Sequence, residues 1–153
     1  MAFPNANIPD TAPFNSVYSI VGTPVVYAGS SLTNTATSAT AVSQLTSGAF
    51  IVPALTKYLK VTLTGDSVSN SGANNVIISA WIGTVGSGTS LGTDTNTAQS
   101  GAKAGLDMVF IIPTTGLTNT SITINIGMHG SGAGTNTITT SATSPLIMLV
   151  ESL

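Results

Sequence analysis

The sequence predicts an all-β protein, a β-sandwich or jelly roll of about eight strands that follows an extended N-terminal arm. Short runs rich in β-branched residues recur along the chain and are separated by clusters of Gly, Ser, Thr and Asn, a pattern typical of all-β domains. No segment shows a clear helical periodicity. With 153 residues, the chain has the length of one domain, so we assign residues 1–15 to the arm and 16–153 to the sandwich.

The strands are predicted from the way apolar side chains repeat. Residues 121–128 alternate strictly between apolar and polar, which indicates one buried face. Residues 58–63 alternate in the same way and are followed by the turn-forming pair Gly65 and Asp66, where we expect the strand to end. Nearly continuous apolar runs at 76–82, 106–112 and 146–150 suit strands that are covered on both faces. Shorter candidates lie at 17–21, 24–27 and 49–52.

Three long polar stretches, at 29–40, 83–105 and 130–144, are predicted to be loops or hairpin extensions that stay outside the core. The length and polarity of the stretches 83–105 and 130–144 would suit recognition of a receptor or a glycan.

The arm is predicted from its prolines and its spaced apolar residues. Each proline fixes its own backbone and biases the preceding residue toward extended geometry. We expect the arm to dock on a partner through these residues: Phe3, Pro4, Ile8, Pro9, Pro13 and Phe14. The alternative is a frayed terminus.

The shortage of charge excludes several classes of function. Only 5% of the residues are charged, against about a quarter in ordinary proteins, and the formal net charge is −2. Three lysines and no arginine make no basic stripe for nucleic-acid phosphates or an anionic membrane surface, and no apolar run reaches the length of a membrane-spanning helix. The absence of cysteine excludes disulfides and thiolate metal sites. We therefore expect no cofactor, no metal, no direct nucleic-acid partner and no membrane partner.

Catalysis also lacks suitable groups. The single histidine, His129, is predicted to be an exposed loop residue, and the five acidic residues are scattered singly, so no catalytic set is assigned and the protein is predicted not to be an enzyme. Asp107 interrupts an apolar run, and we expect it to be exposed, at an interface or paired with Lys57, Lys60 or Lys103. Trp81 and Tyr58 would suit a sugar-stacking platform, although core packing is the simpler expectation.

One segment resembles a known family. The stretch Phe50-Ile51-Val52-Pro53, followed by Tyr58-Leu59-Lys60-Val61, is similar to the central hairpin of complement and tumour-necrosis-factor-like jelly rolls, with Thr56 where that family usually has glycine. The apolar run 146–150 resembles its closing strand. The resemblance implies a jelly roll that forms a tight homotrimer, and it implies no catalytic residue.

The chain also resembles, by composition and by its proline-bearing arm, the virion proteins of tailed bacteriophages, among which capsid decoration proteins fit best in size. This implies a structural protein that binds a major capsid protein as a homotrimer, lies on the capsid surface and is made in the host cytoplasm. The alternative is a fibre-tip or adhesin-type module that binds a receptor or a glycan.

Overall fold

The computed structural model describes residues 19–21, 23–38, 43–72, 74–96 and 104–153. Within these residues the regular structure is entirely strand, and no helix is long and apolar enough to cross a membrane. The arm residues Phe3, Pro4, Ile8, Pro9, Pro13 and Phe14 lie outside the described residues, so their role stays a prediction. The strands are β1 Ser19–Ile20, β2 Val25–Tyr27, β3 Leu32–Asn34, β4 Ser43–Thr46, β5 Phe50–Ile51, β6 Tyr58–Asn70, β7 Val76–Ile82, β8 Thr89–Asn96, β9 Ala104–Pro113, β10 Ser121–Ile122, β11 Ile124–Gly130, β12 Asn136–Thr139 and β13 Leu146–Ser152.

Two antiparallel sheets form the sandwich. Strand β6 lies in the middle of sheet A and pairs with β9 on one side. On its other side it pairs with β12 and β13, which lie end to end. Beyond these two strands, β1, β2 and β3 lie end to end and form the far edge of the sheet. Sheet B has the order β4–β11–β7–β8. Counting β1–β3 as one strand and β12–β13 as another, and leaving aside the two-residue strands β5 and β10, gives eight strands. Numbered along the chain, these lie in the order one, eight, three, six in sheet A and two, seven, four, five in sheet B. This order is that of an eight-stranded jelly roll, and it confirms the predicted fold class.

The core fills the space between the two sheets. Alternate side chains of each strand point inward, because successive residues of a strand face opposite sides of the sheet. Strand β6 supplies Leu59, Val61 and Leu63, which are fully buried, and strand β11 supplies Ile124 and Ile126 from the facing sheet. These positions match the alternation predicted for residues 58–63 and 121–128, although Thr123 divides the latter run into β10 and β11.

Strand β6 runs beyond its predicted end. The register of β6 against β9 shifts between Gly65 and Ser67, so the pair Gly65-Asp66 forms a β-bulge instead of a turn, and the strand continues to Asn70. A bulge adds one residue to one strand and changes which side chains face inward. Accordingly, Val68 and Asn70 point into the sandwich after the bulge, whereas Leu59, Val61 and Leu63 point inward before it.

The three stretches predicted to be loops or hairpin extensions contain strands. Strand β3 lies within 29–40, β8 and the start of β9 lie within 83–105, and β12 lies within 130–144. Strands β3 and β8 are at sheet edges, where side chains need not be apolar because one side of the strand meets solvent. The prediction that these stretches stay outside the core is wrong for β12, where Ile138 is fully buried.

The segment 50–61 does not form a hairpin. Strand β5 pairs with β10, whereas β6 pairs with β9, β12 and β13, so the two strands of the predicted central hairpin lie in different sheets. Thr56, the residue that stands where the complement-like family has glycine, is buried, and its carbonyl oxygen accepts a hydrogen bond from the Thr114 hydroxyl at 2.5 Å.

An asparagine ladder holds one end of the sandwich together. Asn34, Asn136 and Asn70 are opposite one another on β3, β12 and β6. Asn70 Nδ2 donates to Asn136 Oδ1 at 2.7 Å, and Asn136 Nδ2 donates to Asn34 Oδ1 at 2.9 Å and to the Ala36 carbonyl at 3.0 Å. Asn34 Nδ2 reaches sheet B through the Met128 carbonyl at 2.8 Å. Neutral amides therefore satisfy one another where the apolar core ends.

We expect Asn136→Ala to lower the free energy of unfolding by about 3 kcal/mol, because it leaves buried partners of the ladder without hydrogen bonds. Thr137→Ala is the matched control, since Thr137 is the next residue and its half-buried side chain faces away from the ladder. Urea denaturation monitored by Trp81 fluorescence measures both variants. Equal losses for the two variants would show that the ladder adds nothing beyond ordinary strand packing.

Candidate interaction surface

The side of sheet A that faces away from the core is the outer face. Its members are the outward side chains of five strands: Ile20 of β1, Val26 of β2, Lys60, Thr62 and Thr64 of β6, Asp107, Val109 and Ile111 of β9, and Ile147, Leu149 and Glu151 of β13.

Strand β9, at one edge of sheet A, contributes two exposed apolar side chains to the outer face. Its side chains alternate regularly between buried and exposed, with Leu106, Met108 and Phe110 in the core. Val109 and Ile111 are 52% and 51% exposed. The prediction that residues 106–112 are covered on both faces is therefore wrong for the single chain, because sheet B covers sheet A on one side only.

The strand register aligns these apolar groups in rows. One row crosses the face from Val109 through Thr62 to Leu149. Directly cross-strand neighbours contact each other, so Val109 and Leu149 flank Thr62. The Thr62 hydroxyl is shielded from solvent and has no hydrogen-bond partner. The Thr62 hydroxyl is therefore shielded within the outer face, whereas Val109 beside it is half exposed.

The second row contains the ion pair of the outer face. It runs from Ile111 through Lys60 and Glu151 to Ile20, and Lys60 Nζ lies 3.0 Å from Glu151 Oε2. Both charged side chains are partly shielded, and their charges cancel within the face. The predicted pairing of Asp107 with Lys60 is therefore not formed. Asp107 is exposed at the margin of the face, opposite Thr64, and Lys103 lies outside the described residues.

The prediction that His129 is an exposed loop residue is wrong. It lies within strand β11, opposite Ile77 of β7. It is half-buried, and its Nδ1 is shielded from solvent and has no hydrogen-bond partner. Burial lowers the pKa of His129 below its ordinary value, because desolvation disfavours the charged imidazolium. Across the described part of the chain, no group of three or more His, Asp or Glu side chains lies together in a way that could hold a metal ion.

The two aromatic residues considered for sugar stacking lie on different sheets. Trp81 is half-buried on β7, and its Nε1 donates to Ser79 Oγ at 2.8 Å. Tyr58 begins β6 and is 46% exposed at the mouth of a cleft of about 370 Å³, which is lined by Thr56, Lys57, Tyr58, Pro113, Thr114, Thr115, Gly116 and Thr118. The two rings therefore do not form a sugar-stacking platform, the expected core packing is wrong for Tyr58, and Tyr58 borders a polar cleft.

Sequence reasoning missed the outer face because a run such as Val109-Phe110-Ile111-Ile112 looks the same whether one side or both sides are buried. The sequence pattern that indicates the outer face lies in β6, the strand that pairs with β9. The alternation of Lys60, Thr62 and Thr64 with buried residues marks one side of β6 as outward, and any strand paired with β6 shares that side.

Comparisons with known proteins add structural neighbours. No model of a known protein family matches the chain, and no curated protein matches it. The chain is similar to the protein in the VP2 subviral particle of infectious bursal disease virus, with a TM-score of 0.47 and 12% identity, over 88% of this chain and 37% of that chain. It is also similar to the protein in particles derived from the same virus (TM-score 0.42, 16% identity, 88% and 36% covered) and in its Gx strain (TM-score 0.33, 23% identity, 86% and 38% covered).

These structural neighbours are viral capsid proteins, and the chain spans little more than a third of their length. No complement-like or tumour-necrosis-factor-like family was matched. The jelly-roll assignment rests on the strand order of this chain.

We expect acidification to destabilise the protein through His129. The unfolded imidazole takes up a proton as the pH falls through about 6.5, whereas the folded imidazole resists protonation until a lower pH. Stability is therefore complete above pH 6.5 and is lost as the pH falls toward the lowered pKa. Urea denaturation at about pH 7.5 and pH 5 should show a larger loss of unfolding free energy for the wild type than for His129→Gln, because only the wild type carries the imidazole. An identical loss in the two proteins would contradict this role.

Proposed function

We propose that the chain is a structural protein of a virus particle, a decoration or cement protein that binds and stabilises a phage capsid as a homotrimer. The observation that carries the proposal is the outer face, a sheet surface on which Lys60 and Glu151 form one ion pair and four apolar side chains are each more than half exposed: Ile20, Val26, Val109 and Ile111. Contiguous exposed apolar surface on a soluble protein marks a site of association.

The character of the outer face suits a permanent particle. Contacts made by apolar burial are insensitive to salt, whereas exposed ion pairs are screened over about 10 Å at 0.1 M salt. A chain with 5% charged residues relies on the first kind of contact. In this proposal three copies associate through the outer face, and the arm residues Phe3, Pro4, Ile8, Pro9, Pro13 and Phe14 bind neighbouring subunits, including the major capsid protein.

The proposal predicts that Val109→Lys combined with Ile111→Lys abolishes trimerisation and capsid binding. Two buried ammonium groups in an apolar interface are strongly unfavourable, whereas both positions are half-exposed in the single chain, so the fold is retained. Light scattering should give about three times 15.2 kDa for the wild type and the monomer mass for the double variant. Co-sedimentation with capsids of the virus that encodes the chain measures particle binding.

Leu55→Lys is the matched control, because Leu55 is 93% exposed in the turn before β6 and lies off the outer face. This variant should behave as the wild type does. A trimeric double variant, or one that still co-sediments with capsids, would contradict the role of the outer face.

The polar cleft favours a second candidate function, an adhesin-type module that binds a glycan. Threonine hydroxyls and the exposed ring of Tyr58 line the cleft, and sugars bind through hydrogen bonds and ring stacking. Under this alternative, a glycan array should show binding that Tyr58→Ala removes, together with no affinity for capsids. Absence of glycan binding, with capsid binding intact, would eliminate the alternative.

A further inference from the structure

Strand β9 is an open edge and carries two half-exposed apolar side chains of the outer face. Among the described strands it pairs with β6 alone, so one side of its ten residues carries backbone groups without a strand partner. Val109 and Ile111 stand beside that edge, each about half exposed. A long apolar edge of this kind pairs readily with another extended chain unless something covers it.

The surroundings of the β9 edge favour an extended segment with an aromatic side chain as its occupant. An extended segment supplies the backbone hydrogen bonds that a strand edge lacks. Next to this edge, a recess of about 270 Å³ opens between β8 and β9, and its apolar lining comes from Ile82, Leu91, Ile112, Pro113 and Leu117. Because successive residues of a strand face opposite sides of a sheet, a segment paired with β9 would place one apolar side chain over this recess and the next one beside Ile111 on the outer face.

The eighteen residues that precede the described structure have this chemistry. Phe3, Ile8 and Phe14 are spaced along them, the prolines favour extended backbone, and Asp10 is their single charged side chain. They join the described chain at β1, which lies at the edge of sheet A opposite to β9. Fully extended, they span at most about 60 Å, whereas three strand spacings, the distance from β1 to β9, amount to about 14 Å.

We propose that the N-terminal segment, residues 1–18, of one copy docks along β9 of a second copy, with Phe14 beside Ile111. The segment leaves one edge of sheet A and the receiving strand is the other edge, so copies placed edge to edge present the segment to the strand directly. Such a head-to-tail contact joins two different surfaces and closes into a ring when its rotation allows. The inference rests on the proposed homotrimer and identifies its receiving surface.

Disulfide trapping tests the inference cleanly because the chain has no cysteine of its own. Isotope-labelled Phe14→Cys protein is mixed with unlabelled Ile111→Cys protein, both full length, and oxidised. Because each chain then carries one cysteine, any mixed link joins two copies. The expected result is a species of twice 15.2 kDa on a non-reducing gel, with a labelled-to-unlabelled link confirmed by mass spectrometry.

The matched control is Thr143→Cys, an exposed position in the loop between β12 and β13. Mixed links should form severalfold less with Thr143→Cys than with Ile111→Cys. Equal yields at the two positions overturn the inference, as does dominant linking of Ile111→Cys to itself, which would mean that two β9 strands meet. A double variant, Phe14→Cys with Ile111→Cys, that closes internally as a monomer at micromolar concentration overturns it too, because the segment then covers its own sheet.

The docking of the N-terminal segment and the decoration role can be refuted independently of each other. Specific Phe14–Ile111 links in a protein that never binds capsids would support the docking and refute the decoration role. Trimers that bind capsids but give no such link would refute the docking and leave the decoration role standing.

Discussion

The alternation of side chains along strand β6 is the constraint on which the rest of sheet A depends. Leu59, Val61 and Leu63 are fully buried, and the intervening Lys60, Thr62 and Thr64 point outward. Because β9, β12 and β13 all pair with this strand, its phase determines which side chains of each neighbour enter the core. The bulge at Gly65 resets that phase and brings Asn70 inward, where it joins the asparagine ladder.

The same constraint creates the outer face. An eight-stranded sandwich buries one side of each sheet, so no layer of the described residues covers the apolar side chains on the other side of β9 and β13. This surface carries three charged side chains, Lys60, Asp107 and Glu151, of which Lys60 and Glu151 form an ion pair that is neutral as a unit. Exposed apolar surface is unfavourable in water for a monomer, whereas association buries it.

The sequence predicts the fold class well because strict alternation at 58–63 and 121–128 is unambiguous. It predicts the polar stretches poorly because β3, β8 and β12 are held by backbone pairing, and β3 and β12 also by amide hydrogen bonds, that no local pattern reveals. Asn136 looks like a loop residue until Asn34 and Asn70 are placed opposite it. His129 follows an alternating run, yet the glycines around it indicate a loop, and only the pairing of β11 with β7 shows that the strand continues. The outer face needs the register of β6 and β9, which the sequence does not contain.

Hydrogen exchange of the β9 backbone tests most directly whether the outer face and its open edge are buried by association. Amides on the unpaired side of β9 are exposed in a single chain and become protected when another chain covers them. The account predicts that exchange across residues 104–113 slows as the protein concentration rises or as capsids are added, whereas exchange in the core strand β11 stays unchanged. Exchange in β9 that is equally fast in dilute, concentrated and capsid-bound protein would contradict it.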